Sequence, residues 1–151
     1  MDRQSTLPFM SGTVEGLHVS PQFEQLPQAV EAVEVTAEGM LGDRYFGERN
    51  LTLIEAEALE GLFEEAGIEL TAAESRRQVL TRGVRLNDLV GKRFRVGEVE
   101  CVGEEWCEPC SHLEGLTRPG VLRGLVHRGG LRADIVRDGR IAVGDEVARL
   151  P

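Results

Sequence analysis

Residues 76–103 read RRQVLTRGVRLNDLVGKRFRVGEVECVG, and the fold class turns on this stretch. From Phe94 the chain reads as strand, Gly97 and Glu98 supply a two-residue turn signal, and Val99, Cys101 and Val102 continue beyond it, which predicts a β-hairpin. Residues 78–82 at the front of the stretch read as a further strand. Just upstream, Thr71 stands three residues before Glu74, the spacing of a capping box, so a short helical turn is predicted to lead into that strand.

Working outward, residues 12–20 and 28–36 each alternate apolar with polar side chains, and Val33 and Val35 lie among Glu31, Glu34 and Thr36. Period two predicts two half-buried strands, and Pro21 and Pro27 bracket their link. Gly39 and Gly42 punctuate a turn into Asp43, Arg44 and Tyr45, a polar group placed on a loop where it can face a ligand. Residues 51–54 form a short apolar run suited to a buried strand. The spacing of Leu59, Leu62, Phe63 and Ala66 then predicts the main helix, ended by Gly67. Toward the C-terminus, Asp138 and Gly139 separate two alternating runs, residues 131–136 and 141–147, and predict a type I′ hairpin. Many short strands, 18 glycines, one main helix and a few short ones make a mainly β fold with mixed α/β content, its sheet bent or barrel-like. One domain is expected over residues 1–151, with no internal repeat or linker.

The net charge of −9 disfavours a nucleic-acid or anionic-membrane binder, because either needs a basic face that replaces counterions. Arginine is nevertheless concentrated at Arg76, Arg77, Arg82, Arg85, Arg93 and Arg95, while acidic residues crowd the stretch from Glu55 to Glu65. Most of these charges read as solvated surface, though a local basic pocket is compatible with the pattern. No apolar run approaches the length of a membrane span, and no basic segment followed by an apolar one opens the chain, so a cytoplasmic location is expected. Three cysteines, an odd number, leave at least one thiol free and fit a reducing compartment.

Cys107, Glu108, Pro109 and Cys110 form a CxxC. Such a pair serves as a redox couple, as half a zinc site, or as neither. The β-rich surroundings differ from the βαβ context of a thioredoxin-like site, although Cys110 is placed to open a helical turn toward Gly115. A structural zinc site would have to recruit Cys101, His112 or His127, with no second pair at matching spacing. Cys101, inside an alternating strand, reads as a small buried hydrophobe. Cys110, between Pro109 and the polar pair Ser111 and His112, does not. A thiol acts as nucleophile or soft-metal ligand only as thiolate, and His112, the arginine-rich stretch, or the basic loop of His127 and Arg128 before Gly129 and Gly130 can favour that form.

Residues 76–103, followed by CEPC, SHLEGL, HRGGLRADIV and DGRIAVGDEV, closely resemble the bacterial stand-alone MOSC domains, named after the C-terminal domain of molybdenum-cofactor sulfurases. The earlier GDRY of residues 42–45 and LTLIEAEALEGL of residues 51–62 fit the same pattern in order. The resemblance implies a barrel-like β fold with a reactive cysteine at Cys110, which carries sulfur as a persulfide or ligates molybdenum in a pterin cofactor, with Cys107 as an accessory thiol. It implies cofactor-binding roles for Asp43, Arg44, Arg76, Arg77, Thr81, Arg82 and Asn87, with His112 beside the thiol, because such a cofactor ends in phosphate and arginine forks bind phosphate bidentately. The family usually carries Asn after the paired arginines; Gln78 keeps the amide and lengthens its reach. Related activities are sulfur transfer to metal–sulfur centres and, in larger relatives, reduction of N-hydroxylated compounds. The implied partners are a sulfur donor such as a cysteine desulfurase and an acceptor metalloenzyme. No flavin, haem or iron–sulfur motif is evident. The alternative is a non-catalytic module that keeps the fold and uses its pocket for another anion or for docking.

Overall fold

The computed structural model describes residues 11–23 and 25–151. The architecture depends on one long strand, β1 (Ser11–Val19), whose alternating side chains serve several neighbours in turn. Its first residues pair antiparallel with β11 (Glu146–Arg149), its middle with β6 (Val79–Arg82) and its end with β2 (Gln28–Val30). The register shifts between Val14 and Gly16, so a bulge bends the strand where it changes partner. With β5 (Asn50–Glu55), β7 (Arg93–Val96), β8 (Val99–Trp106) and β9 (Leu131–Arg137), the order β11-β7-β8-β9-β5-β6-β1 returns to β11 and closes a seven-stranded barrel. A small second sheet joins β10 (Gly139–Ala142), β3 (Ala32–Thr36) and β4 (Gly39–Met40).

Strands β5 and β6 are parallel, so the chain must cross over between them. It does so through α1 (Ala56–Ala66) and α2 (Ala72–Ser75). The main helix starts three residues before the Leu59 spacing that predicts it, and ends at Gly67, whose φ of 69° and N–H bond to the Phe63 carbonyl form a left-handed cap. Thr71 and Glu74 exchange both bonds of the predicted capping box, at 3.1 and 3.0 Å. The Gly97–Glu98 hairpin is also present, with Val96 opposite Val99.

Two elements depart from the sequence reading. Residues 28–36 form two strands rather than one, because the chain breaks at Glu31 and passes from the barrel edge into the small sheet. Asp138 and Gly139 do not make a type I′ hairpin: β9 pairs within the barrel while β10 pairs with β3, and neither residue has the positive φ such a turn requires. Gly139 is needed for a different reason, since a Cβ there would lie 2.7 Å from the Cβ of Glu98. The predicted run over residues 141–147 is likewise split, by a turn around Gly144.

The barrel interior is filled by inward-facing residues of successive strands, including Leu17, Leu51, Leu53, Val79, Phe94, Val96, Val99, Cys101, Leu131 and Val147. Leu86 and Leu89, from a 3-10 turn over Leu86–Leu89, join the same core. Outside the barrel, α1 packs its Leu62 with Leu113 of α3 (Ser111–Leu116) and with Val121 and Leu125 in and after α4 (Val121–Gly124), a second, smaller apolar cluster. No helix among the described residues is long and apolar enough to cross a membrane. Phe94, fully enclosed, is the largest side chain of the barrel core. Phe94→Ala is expected to lower unfolding free energy by about 3–5 kcal/mol in urea titration, because it removes transfer energy and leaves a cavity in a closed barrel.

Candidate functional site

A cleft of about 430 Å³ opens beside one end of the barrel, within the size range of small-molecule sites. Its walls come from six places in the sequence: the Pro21–Pro27 link, the turn after β4, strand β5, the junction between α2 and β6, the segment running from β8 through CEPC into α3, and strand β9. Cys107, Cys110, Arg44, Arg76, Arg77 and His112 all line it.

The three thiols differ sharply in environment. Cys101 lies in β8 with no exposure, and burial pushes its thiol up to about 12, helped by the nearby carboxylates of Asp134 and Glu100. Cys107 is half-buried; burial raises its thiol above the ordinary value, and the Arg77 guanidinium opposes part of that rise. Cys110 is exposed and stands immediately before α3, where its carbonyl accepts from the Glu114 N–H.

The CEPC loop is held by its main chain. The Cys107 N–H donates to the Gly130 carbonyl at 2.8 Å. The Arg77 guanidinium donates through Nε to the Gly129 carbonyl at 2.8 Å and through Nη2 to the Cys107 carbonyl at 3.2 Å. Gly129 leaves no room for a side chain, since a Cβ would meet the Cys107 carbonyl oxygen at 2.3 Å. Glu108 accepts from the His127 N–H and faces its Nδ1, both at 2.8 Å. The His127 N–H, and then its ring, hold the Glu108 carboxyl below the usual carboxylate range. His127 adopts φ 65°, and its carbonyl accepts from the Asn87 side chain at 2.7 Å.

Part of the lining is a stack of flat groups. The His112 ring lies parallel to Phe23, with centroids 5.5 Å apart, and the Arg44 guanidinium sits 4.5 Å from the Phe23 centroid and 4.2 Å from that of Tyr45. The Nε of Arg44 is buried with no partner among the described residues. Asp43 is buried behind it and accepts from Ser20 N–H at 2.7 Å, Tyr45 N–H at 3.1 Å and the Gln78 amide at 3.0 Å. Gln78 in turn accepts from Thr52 N–H at 2.9 Å, so its longer reach joins β5 to the Asp43 turn.

The sequence-predicted residues therefore separate into two groups. Cys107, Cys110, Arg44, Arg76, Arg77 and His112 converge on the cleft, and Asp43 supports it from behind with its carboxylate taken up by protein donors. Thr81, Arg82 and Asn87 do not line it. The cleft lies at the start of β6, and a strand advances about 3.3 Å per residue, which carries Thr81 and Arg82 away from it. Thr81 is buried and donates to the Ile54 carbonyl, Arg82 pairs with Glu15 and Glu60, and Asn87 supports His127. Phe23, Trp106 and Arg132 line the cleft without having been singled out in the sequence. Trp106 directly precedes CEPC and meets the His127 ring edge-on at 5.5 Å, and that adjacency was its one available signal.

The cleft beside the closed barrel is lined by two cysteines and by Arg44, Arg76, Arg77 and Arg132. The MOSC domain model matches residues 17–148, and the chain belongs to that family, which is associated in general with molybdenum-cofactor binding or sulfur chemistry. Among solved structures, the YuaD protein from Bacillus subtilis is similar at TM-score 0.81 and 16% identity, covering 91% of this chain and 94% of that one. YiiM from Geobacillus stearothermophilus is similar at TM-score 0.74 and 14% identity, covering 93% and 75%. YiiM from Escherichia coli is similar at TM-score 0.68 and 16% identity, covering 92% and 70%. No curated protein matches the sequence.

Burial ranks the thiols for chemical labelling. In the native protein at neutral pH, iodoacetamide is expected to modify Cys110 first, Cys107 more slowly and Cys101 only after unfolding, as read by peptide mass mapping. Gly129→Ala should accelerate Cys107 labelling by displacing its carbonyl while leaving Cys101 protected; early labelling of Cys101 in the native wild type would contradict the arrangement.

Proposed function

We propose that this protein is a sulfur- or molybdenum-cofactor-binding MOSC protein in which Cys110 is the working thiol. The observation that carries this reading is the placement of Cys110: exposed and lining a cleft that Arg44, Arg76 and Arg77 also line, while Cys101 is enclosed in the barrel and Cys107 is half-buried.

As a sulfur carrier, the Cys110 thiolate attacks the outer sulfur of a donor persulfide. A new sulfur–sulfur bond forms on Cys110, the donor's own sulfur–sulfur bond breaks, and the donor thiolate leaves. The donor is of the cysteine-desulfurase type, and the acceptor is a metalloenzyme whose metal centre requires sulfur; such partners place the work in the cytoplasm. Exposure of Cys110 suits this exchange, because both donor and acceptor must reach the same sulfur.

The residues also fit an anionic cofactor. Among the described residues Arg44 Nε is a buried donor with no partner and no carboxylate forms an ion pair with Arg44, Arg76 or Arg77, and all three line the cleft. Arg44 would offer its buried Nε to a phosphate group, while Arg76 and Arg77, whose guanidinium groups already donate to main-chain carbonyls, would add positive charge beside it, and the Cys110 thiolate is a soft donor of the sort molybdenum accepts. No cluster of three or more His, Cys, Asp or Glu side chains is present among the described residues, so Cys110 would be the protein's ligand to the metal. Such a cofactor, when bound, supplies a redox-active metal; the chain supplies the thiolate, the arginines and the aromatic wall. A second reading, an anion-binding module without chemistry at Cys110, draws on the same arginines and needs no thiol.

The two separate in a sulfur-loading experiment. After exposure to a cysteine desulfurase and cysteine, Cys110→Ala is expected to lose protein-bound persulfide, whereas Cys107→Ala retains it. Equal loading of both variants would contradict the assignment of Cys110. Arg44→Ala should weaken binding of inorganic phosphate or a pterin phosphate by roughly tenfold, the loss of one charge-assisted contact, as read by titration calorimetry.

A further inference from the structure

Cys107 is unexplained by a role for Cys110 alone. It lines the same cleft three positions before Cys110, its backbone is fixed at both its N–H and its carbonyl, and the Arg77 guanidinium that bonds its carbonyl also opposes part of the rise that burial imposes on its thiol. We propose that Cys107 is a resolving thiol: it attacks a persulfide formed on Cys110 and releases the carried sulfur as hydrosulfide, leaving a Cys107–Cys110 disulfide. The inference rests on the sulfur-carrier reading and adds a second activity to it, reductive discharge of sulfane sulfur that no acceptor has taken.

The step balances. Cys107 loses its proton to solvent and its thiolate attacks the Sγ of Cys110. The bond between the two cysteine sulfurs forms, the bond from Cys110 to the outer sulfur breaks, and that sulfur leaves with the electron pair and takes up a proton. The two cysteines are oxidised by two electrons and the sulfane sulfur is reduced to sulfide. A dithiol reductant, oxidised in turn to its own disulfide, restores both thiols.

The surroundings set the order of events. Partial burial makes Cys107 a poor target for bulky external donors, so loading falls on exposed Cys110. Attack within the loop is intramolecular and gains from proximity, which offsets a thiol held mostly protonated. Arg77 bonds to the Cys107 carbonyl and favours its thiolate, so the clamp that fixes the backbone also assists the nucleophile. Cys110, exposed at the start of the six-residue helix α3, presents its sulfur within the same short loop.

The test loads the anaerobic wild-type protein and Cys107→Ser with glutathione persulfide, removes excess donor, and follows released sulfide and intact mass without reductant. The wild type is expected to release one sulfide per loaded chain and to end two hydrogens lighter, with peptide mapping showing Cys107 joined to Cys110. Cys107→Ser should keep the added sulfur at least roughly tenfold longer. A wild type that holds its added sulfur as long as Cys107→Ser, with no disulfide, overturns the resolving role and leaves the carrier role standing. Failure of Cys107→Ser to acquire sulfur at all overturns the carrier reading and this inference with it.

Discussion

Arg77 donates to two main-chain carbonyls, those of Gly129 and Cys107, and through them joins the start of β6, the loop before β9 and the CEPC segment. Hydrogen bonds from a charged donor contribute more than neutral ones, and here both acceptors belong to loops that have no ladder of their own. Close approach of these loops is possible only because Gly129 and Gly130 carry no side chain: added Cβ atoms would meet the carbonyls of Cys107 and Leu53 at 2.3 and 2.2 Å. The position of Cys110 therefore follows from a guanidinium and a glycine pair as much as from its own sequence neighbours.

The barrel gives that arrangement a fixed base. Because β1 pairs with β11 as well as β6, the sheet has no free end on that side, and the strand ends that carry the cleft are set relative to one another. The other wall is built differently, from a buried carboxylate. Asp43 gathers donors from Ser20, Tyr45 and Gln78, and so places Arg44 between Phe23 and Tyr45 with its Nε unpartnered among the described residues. The cleft thus brings together thiols, cationic groups and aromatic faces, a combination that suits a group with both a soft centre and an anionic end.

The parts of this structure that local patterns control were legible in the sequence. Alternation located β1, the Gly97–Glu98 hairpin has two-residue turn chemistry, and the Thr71–Glu74 box and Gly67 cap are set by neighbouring residues. What failed was the inference of pairing from a turn signal: Asp138 and Gly139 lie where the chain changes sheets, and no local pattern reports that β10 has its partner in β3. The site shows the same limit. Arg76 and Arg77 reach the cleft and Arg82 does not, although all belong to one basic stretch, because the strand between them carries the chain away. Phe23 was hidden in a proline-bracketed link, and its role becomes visible only when His112 and Arg44 stack on its ring.

The central claim is that Cys110 holds a sulfur atom or a metal cofactor at this cleft. Elemental analysis with intact mass, on wild type and Cys110→Ala purified from the native host under low oxygen, tests it most directly. The account predicts molybdenum near one atom per chain, or an added sulfur, in the wild type and neither in the variant. An unmodified thiol without metal in both proteins, or zinc retained by both, would contradict it.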